Sequence, residues 1–221
     1  KKRWQRINDH LQSMGIEAQR ISAVCGADLL DEEIALHYTP ALNRKQFFMP
    51  LMFAEIGCFL SHLKALETFV NDTEKIYAVV LEDDVEFIGN VQSYKYQWLD
   101  AVQGQDPKML KLSSRRKVKG HLVYSQHGLN TISPKLIPLG TQATVYNRPA
   151  ALQLLSTYNQ FGMPIDVAYQ FWWQHGVKVL VCEINHINDD NIASINRLNT
   201  AHVGNYNSSN CQDYPNPAII S

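Results

Sequence analysis

A chain of 221 residues with 45% apolar and 19% charged content is long enough for one sizeable domain and is composed like a globular protein, which excludes an extended disordered chain. Its net charge of −1 gives no global field for nucleic acid, leaving only local basic patches to consider. Cys25, Cys58, Cys182 and Cys211 are scattered with no C-x-x-C pair, which speaks against a zinc knuckle or disulfide framework and for a reducing compartment.

Trp4, Ile7, Leu11 and Met14 recur at spacings of three and four and predict an amphipathic helix ended by Gly15. A short strand is expected in "IEAQRISAV", then loop and short helix across 27–50, where Pro40 and Pro50 interrupt the chain. From Gly57 a second helix places Phe59, Leu63, Leu66 and Val70 on one face. "IYAVVLEDD" follows, an apolar, β-branched run that reads as a strand buried on both faces, as parallel strands between helices are. Residues 94–102 are predicted helical and "KMLKL" (108–112) a strand, while "SSRRKVKGH" (113–121) reads as an exposed basic loop.

"ATVYN" (143–147) is a predicted strand, and Pro149 suits the first turn of the helix "AALQLLSTY". "DVAYQFWWQHG" (166–176) is expected to be a short helix ending at Gly176, followed by the strand "VKVLVCEI". From His186 onward Asn, Asp and Ser dominate, and the chain is expected to be irregular. No apolar run approaches the roughly 18 residues of a membrane span and no signal-peptide core opens the chain, so a soluble protein, at most peripheral to a membrane, is expected. Strands alternating with helices predict an α/β fold with a mostly parallel central sheet flanked by helices, whose ligands bind at the carboxyl ends of the strands.

Glu82, Asp83 and Asp84 stand at such an end. Three adjacent carboxylates repel one another, and burying any of them unpaired costs several kcal/mol. Hard oxygen ligands after a strand suit Mg²⁺ or Mn²⁺, which hold a substrate diphosphate between carboxylates and water. Strand alternation lets Glu82 and Asp84 point one way and Asp83 another. An acidic turn solvated by water is the plainer alternative. A phosphatase of the aspartyl-nucleophile type and an EF-hand both fail on spacing.

A second stretch, "FAEIGCFLSHLKALE" (53–67), precedes the strand by a short loop. Together with "VVLEDDVEF" it resembles glycosyltransferase family 25, the lipooligosaccharide-biosynthesis type that also includes collagen galactosyltransferase domains. The matching residues are Glu55, Gly57, Cys58, Ser61 and His62, then Leu81 to Val85. "QRISAVCGADL" (19–29), "GTQATVYNRPAALQLL" (140–155) and "MPIDVAY" (163–169) are looser matches. Family members usually open with an apolar strand carrying I-N-L-x-R, whereas this chain opens at "KKRWQR", so that nucleotide-binding strand is expected to be absent or to lie before residue 1.

The resemblance implies a GT-A-like fold in one domain over 1–221, with a nucleotide and metal half over about 1–112 and an acceptor half over about 113–221. It implies a metal-dependent transferase moving galactose from UDP-galactose to a saccharide or glycolipid acceptor in lipooligosaccharide biosynthesis, with Mn²⁺ or Mg²⁺ as cofactor. The implied setting is the cytoplasm, or the inner face of the inner membrane in peripheral contact. A collagen-type galactosyltransferase domain and a catalytically inactive scaffold are the alternatives. Asp84 and Glu82 are the implied metal ligands, with His186 as a third. Glu55, Gly57, Ser61, His62, Glu82 and Asp83 are the donor-binding candidates, Asp83 more by fixing the turn. Asp166 in "P-x-D" is the candidate catalytic base, and equally a candidate helix N-cap. Cys58 reads as a small packing residue rather than a nucleophile. The basic run Arg115, Arg116, Lys117 and Lys119 is a candidate contact for acceptor phosphates or anionic lipid. Trp172 and Trp173 offer a sugar-stacking face, with at least one of them expected in the core.

Overall fold

Ile7 and Leu11, on one face and one turn apart, are the buried positions of α1 (Lys2–Ser13) in a computed structural model of the protein. The structure describes residues 2–89, 91–114, 117–126, 129–183, 187–189 and 218–220. Gly15, at φ 70°, turns the chain out of α1, and the Ile16 N–H returns to the Leu11 carbonyl at 2.9 Å. The expected strand after it shrinks to β1 (Gln19–Arg20). A 3-10 turn (Gly26–Asp28) and the short helices α2 (Asp31–His37) and α3 (Pro40–Gln46) follow.

The long helix α4 (Phe53–Asn71) opens at Phe53 rather than Gly57. Glu55 explains the earlier start, because its carboxylate accepts the Met52 N–H at 2.8 Å and satisfies a donor at the helix mouth. Strand β2 (Tyr77–Leu81), the short β3 (Val85–Phe87), α5 (Val91–Val102) and β4 (Lys108–Lys111) come next. A hairpin of β5 (Gly120–Gln126) and β6 (Leu129–Pro134) follows, starting on the last two residues of the 113–121 stretch read as loop. Then come β7 (Ala143–Asn147) and α6 (Arg148–Thr157), where the Asn147 side chain caps the helix by accepting the Ala150 N–H at 3.0 Å. The predicted helix over 166–176 is two short ones, α7 (Ile165–Ala168) and α8 (Trp172–His175), the second ended by Gly176 at φ 65°. Strands β8 (Lys178–Cys182), β9 (Ile187–Asp189) and β10 (Ala218–Ile220) complete the described elements.

Eight strands form one sheet in the order β1-β10-β2-β7-β4-β8-β6-β5, with β3 and β9 paired separately. The α/β class stands, but the sheet is mostly antiparallel: among the described strands only β4 and β8 run parallel. The apolar run of β2 misled the direction because it reports burial, not neighbours. Ala78 and Val80 join the core built with Phe59 and Leu66 of α4. Leu81 joins the core built with Ile7 and Leu11 of α1 and Trp98 of α5. Helices cover both faces, so β2 is apolar throughout although both its partners, β10 and β7, are antiparallel.

The segment leading to α7 is fixed against α4 and α3. Phe59 stacks on Phe161 with centroids 3.9 Å apart, and the Asn43 side-chain amide donates to the Gly162 carbonyl at 2.8 Å. Cys25 is disulfide-bonded, while Cys58 and Cys182 are free thiols. The scattered spacing speaks against a disulfide framework, and Cys25 is the one bonded cysteine among the described residues. No helix among the described residues is long and apolar enough to cross a membrane.

Candidate active site

Where β2 ends, the three carboxylates separate. The Glu82 N–H donates to the Gln142 carbonyl at 2.8 Å, extending the pairing of β2 with the chain entering β7. The Glu82 carboxylate accepts the Thr141 hydroxyl and lies 3.5 Å from His62 Nε2. Burial alone would raise its pKa, but His62, Thr141 and the charge of Lys111 outweigh it and hold the group below the usual carboxylate range. Asp83, also buried, turns to the opposite side, its Oδ1 3.9 Å from Arg3 of α1.

Asp84 is left between them. Its pKa is pushed up to about 7, first by burial and then by Glu82, with Arg3 pulling down and Asp83 adding to the rise. Its Oδ1 is buried and makes no hydrogen bond. An orphaned carboxylate oxygen beside an ionised Glu82 is a donor set that suits a hard cation, which would supply the missing partner and relieve the repulsion.

Glu55, Cys58 and His62 lie at spacings of three and four on α4, and therefore on one face. Burial raises the Glu55 carboxyl, the Met52 N–H lowers it, and the charge of Asp166 raises it again. The Cys58 thiol is pushed well above its ordinary value by burial and then by Glu82, Asp166, Glu55 and Asp84. A thiol surrounded by four carboxylates has no reason to ionise as a nucleophile, as its reading as a packing residue expected. The charges of all four carboxylates thus reach the Cys58 sulfur.

Asp166 enters from α7. The cap position there is Pro164, so Asp166 sits in the first turn instead, and its Oδ2 accepts the Gly140 N–H at 3.1 Å. The reading of Asp166 as N-cap is thus corrected; its side chain faces the loop beside Glu82.

That loop, 138–142, is what sequence reasoning missed. Lys111, 2% exposed, projects from β4 and donates through Nζ to the carbonyls of Pro138 and Gly140, the latter at 2.6 Å. Burial lowers its pKa to about 8, opposed by the charges of Asp166 and Glu82. Within five residues the loop then grips Asp166 through the Gly140 N–H and Glu82 through the Thr141 hydroxyl and the Gln142 carbonyl. A lysine inside the apolar run "KMLKL" was the one available signal, since a strand that is otherwise buried rarely carries a charge without a partner.

Gly57 and Ser61 are engaged by the chain itself. Ser61 Oγ donates to the Gly57 carbonyl at 2.6 Å and accepts the Val24 N–H at 2.8 Å, fastening the 24–26 segment to α4. A Cβ on Gly57 would lie 2.5 Å from the Val24 carbonyl oxygen and 2.7 Å from the Gly26 nitrogen, both backbone. Gly57→Ala is therefore expected to cost about 1–3 kcal/mol as overpacking, lowering the melting temperature by roughly 2–12 °C in a circular-dichroism melt. An unchanged melt would show that the segment yields freely.

His186, Arg115 and Arg116 lie outside the described residues; Lys117 and Lys119 are exposed. Trp172 and Trp173 are 58% and 61% exposed, so neither is a core residue. The reason is the break at Phe171, which leaves α8 a single turn on the surface.

The sequence matches glycosyltransferase family 25 (LPS biosynthesis protein) over residues 1–169, a stretch that contains Glu55, Gly57, Ser61, His62, Glu82, Asp83, Asp84 and Asp166. A glycosyltransferase 25 family member from Anopheles gambiae is 31% identical over 81 residues, which is 35% of this chain and 14% of that protein. This chain belongs to glycosyltransferase family 25.

Proposed function

We propose that this family 25 protein transfers a hexose, galactose from UDP-galactose, to a saccharide acceptor of a bacterial lipooligosaccharide, on a GT-A-type site with Mn²⁺ or Mg²⁺ held by Asp84 and Glu82. The observation that carries the proposal is the buried Asp84 Oδ1 with no hydrogen bond, beside a Glu82 held ionised by His62 and Thr141. When bound, the cation offsets the charge gathering on the leaving diphosphate. His62 and Thr141 fix the Glu82 carboxylate, so that its orientation does not depend on the ligand. The Gly140 N–H fixes one oxygen of Asp166, leaving the other to take the proton of the acceptor hydroxyl. Glu55 lines the same side of α4 as His62, where a donor sugar would lie, and Gly57 and Ser61 serve it by holding the 24–26 segment in place.

The donor assignment is tested by UDP release from UDP-galactose, UDP-glucose and UDP-N-acetylglucosamine with Mn²⁺. UDP-galactose is expected to turn over at least tenfold faster, since a site built around one hydroxyl orientation rejects its epimer. Equal rates would overturn it.

One observation favours a second reading. The disulfide at Cys25 suits an oxidising compartment, as a collagen-type galactosyltransferase domain would require, rather than the cytoplasm or the inner face of a bacterial membrane. The donor chemistry is shared. The acceptor separates the two: transfer to a collagen peptide but not to lipooligosaccharide would select the second.

A further inference from the structure

Sulfur sits in this cluster where an oxygen-only metal site has no use for it. Cys58, His62 and Glu82 each bring one ligand atom, and the three atoms lie within 4.8 Å of one another. Among the described residues they form the group of three metal-ligating side chains that the geometry gathers. Cys58 and His62 are four apart on α4, so the helix itself aligns them, and Glu82 reaches them from the end of β2.

The geometry points to a binding site for a borderline-soft dication such as Zn²⁺ at Cys58, His62 and Glu82, sharing Glu82 with the hard-cation pair Asp84 and Glu82 but adding sulfur and nitrogen donors. Thiolate, imidazole and carboxylate are the donor types that zinc takes, at about 2.0–2.3 Å, with a fourth position left to water. Ligand atoms around one tetrahedral ion lie roughly 3.3–3.8 Å apart at those bond lengths. His62 Nε2 and Glu82 are already at 3.5 Å. The remaining closure is about an ångström and falls to side-chain rotation. Cys58 is half-buried while His62 and Glu82 are buried, which places the three donors at the margin of the core.

Charge agrees with this. The carboxylates of Glu55, Glu82, Asp84 and Asp166 all act on the Cys58 sulfur. What discourages a bare thiolate there attracts a doubly charged cation, and metal binding then displaces the thiol proton to solvent. The site stands on these three side chains and not on the nucleotide reading. Its consequence does rest on that reading: an ion that takes Glu82 withdraws it from the Asp84 pair, so Zn²⁺ would act as an inhibitor of the Mn²⁺-supported reaction.

Co²⁺ reports on such a site through the thiolate-to-metal charge-transfer band and the visible bands of tetrahedral cobalt. Titrating the reduced-thiol, disulfide-intact chain with Co²⁺ is expected to give both bands at one equivalent, and Zn²⁺ to abolish them by replacement. Cys58→Ser should remove the charge-transfer band and weaken binding at least tenfold, His62→Gln should weaken it comparably, and Asp84→Asn should leave the bands in place. A charge-transfer band that survives Cys58→Ser, or no band in the native chain, overturns the proposal. Alkylation of the native chain provides a check independent of any variant's folding: Zn²⁺ should slow modification of Cys58 at least tenfold by peptide mass analysis, and an unchanged rate would contradict it. Loss of the bands in Asp84→Asn would instead mean that a single mixed site exists, and would also overturn it.

Discussion

Asp84→Asn is expected to abolish cation-dependent nucleotide binding and, in the same protein, to raise the melting temperature at pH 8. The sign follows from the folded pKa. Asp84 lies at about 7 against an ordinary value of 3.8. Between those values the native state keeps a proton that the unfolded state has lost, so stability falls as pH rises from about 4 to 7 and the penalty is complete above it. The displacement corresponds to at most about 4 kcal/mol, and partial exposure with solvent screening reduces this to roughly 1–3 kcal/mol. For a chain of this size that is roughly 2–12 °C in melting temperature. The asparagine carries no charge and so escapes the penalty at pH 8, while near pH 4, where the penalty vanishes, it has nothing to remove. Mn²⁺ should reverse the order by stabilising the native protein alone. A variant less stable than the native chain at pH 8 without metal would mean that the carboxylate has a structural partner instead.

Asp166→Asn is expected to leave UDP affinity within threefold and to cut transfer by about 10²–10⁴, the contribution of a positioned general base. Asparagine can still accept the Gly140 N–H through its amide oxygen, so the 138–142 loop keeps its anchor. The test pairs a single-turnover transfer assay with a thermal melt. A large loss of rate with a melt within 2 °C identifies the base. A rate within threefold of the native chain would remove Asp166 from that role, and a matching loss of stability would return it to a structural one.

Much of the frame was legible because local rules governed it. The spacing of Ile7 and Leu11, the glycine after α1, and Pro149 at the mouth of α6 each acted within a turn or two, and each element formed where expected. The direction of the sheet was not legible, since β2 pairs with β10, whose residues lie far along the chain, and periodicity carries no memory of such partners. The strand β5 went unread for another reason: at the sheet edge most of its side chains are exposed, so no alternation marks it. In the site, the acids and the α4 motif were visible as residue types. Lys111 and Thr141 were not, because their part arises only when β4 and the 138–142 loop meet the ends of β2 and α7. Glu55 shows the opposite case, where one side chain moved a boundary: by capping Met52 it drew the start of α4 back to Phe53.

In the proposed site Glu82 and Asp84 hold a nucleotide diphosphate through a divalent cation. Calorimetric titration of UDP into the native chain and into Asp84→Asn, each with and without Mn²⁺, addresses it most directly. Binding is expected for the native chain only when Mn²⁺ is present, and for Asp84→Asn in neither condition. UDP binding of equal strength with and without the metal, or undiminished in Asp84→Asn, would contradict it.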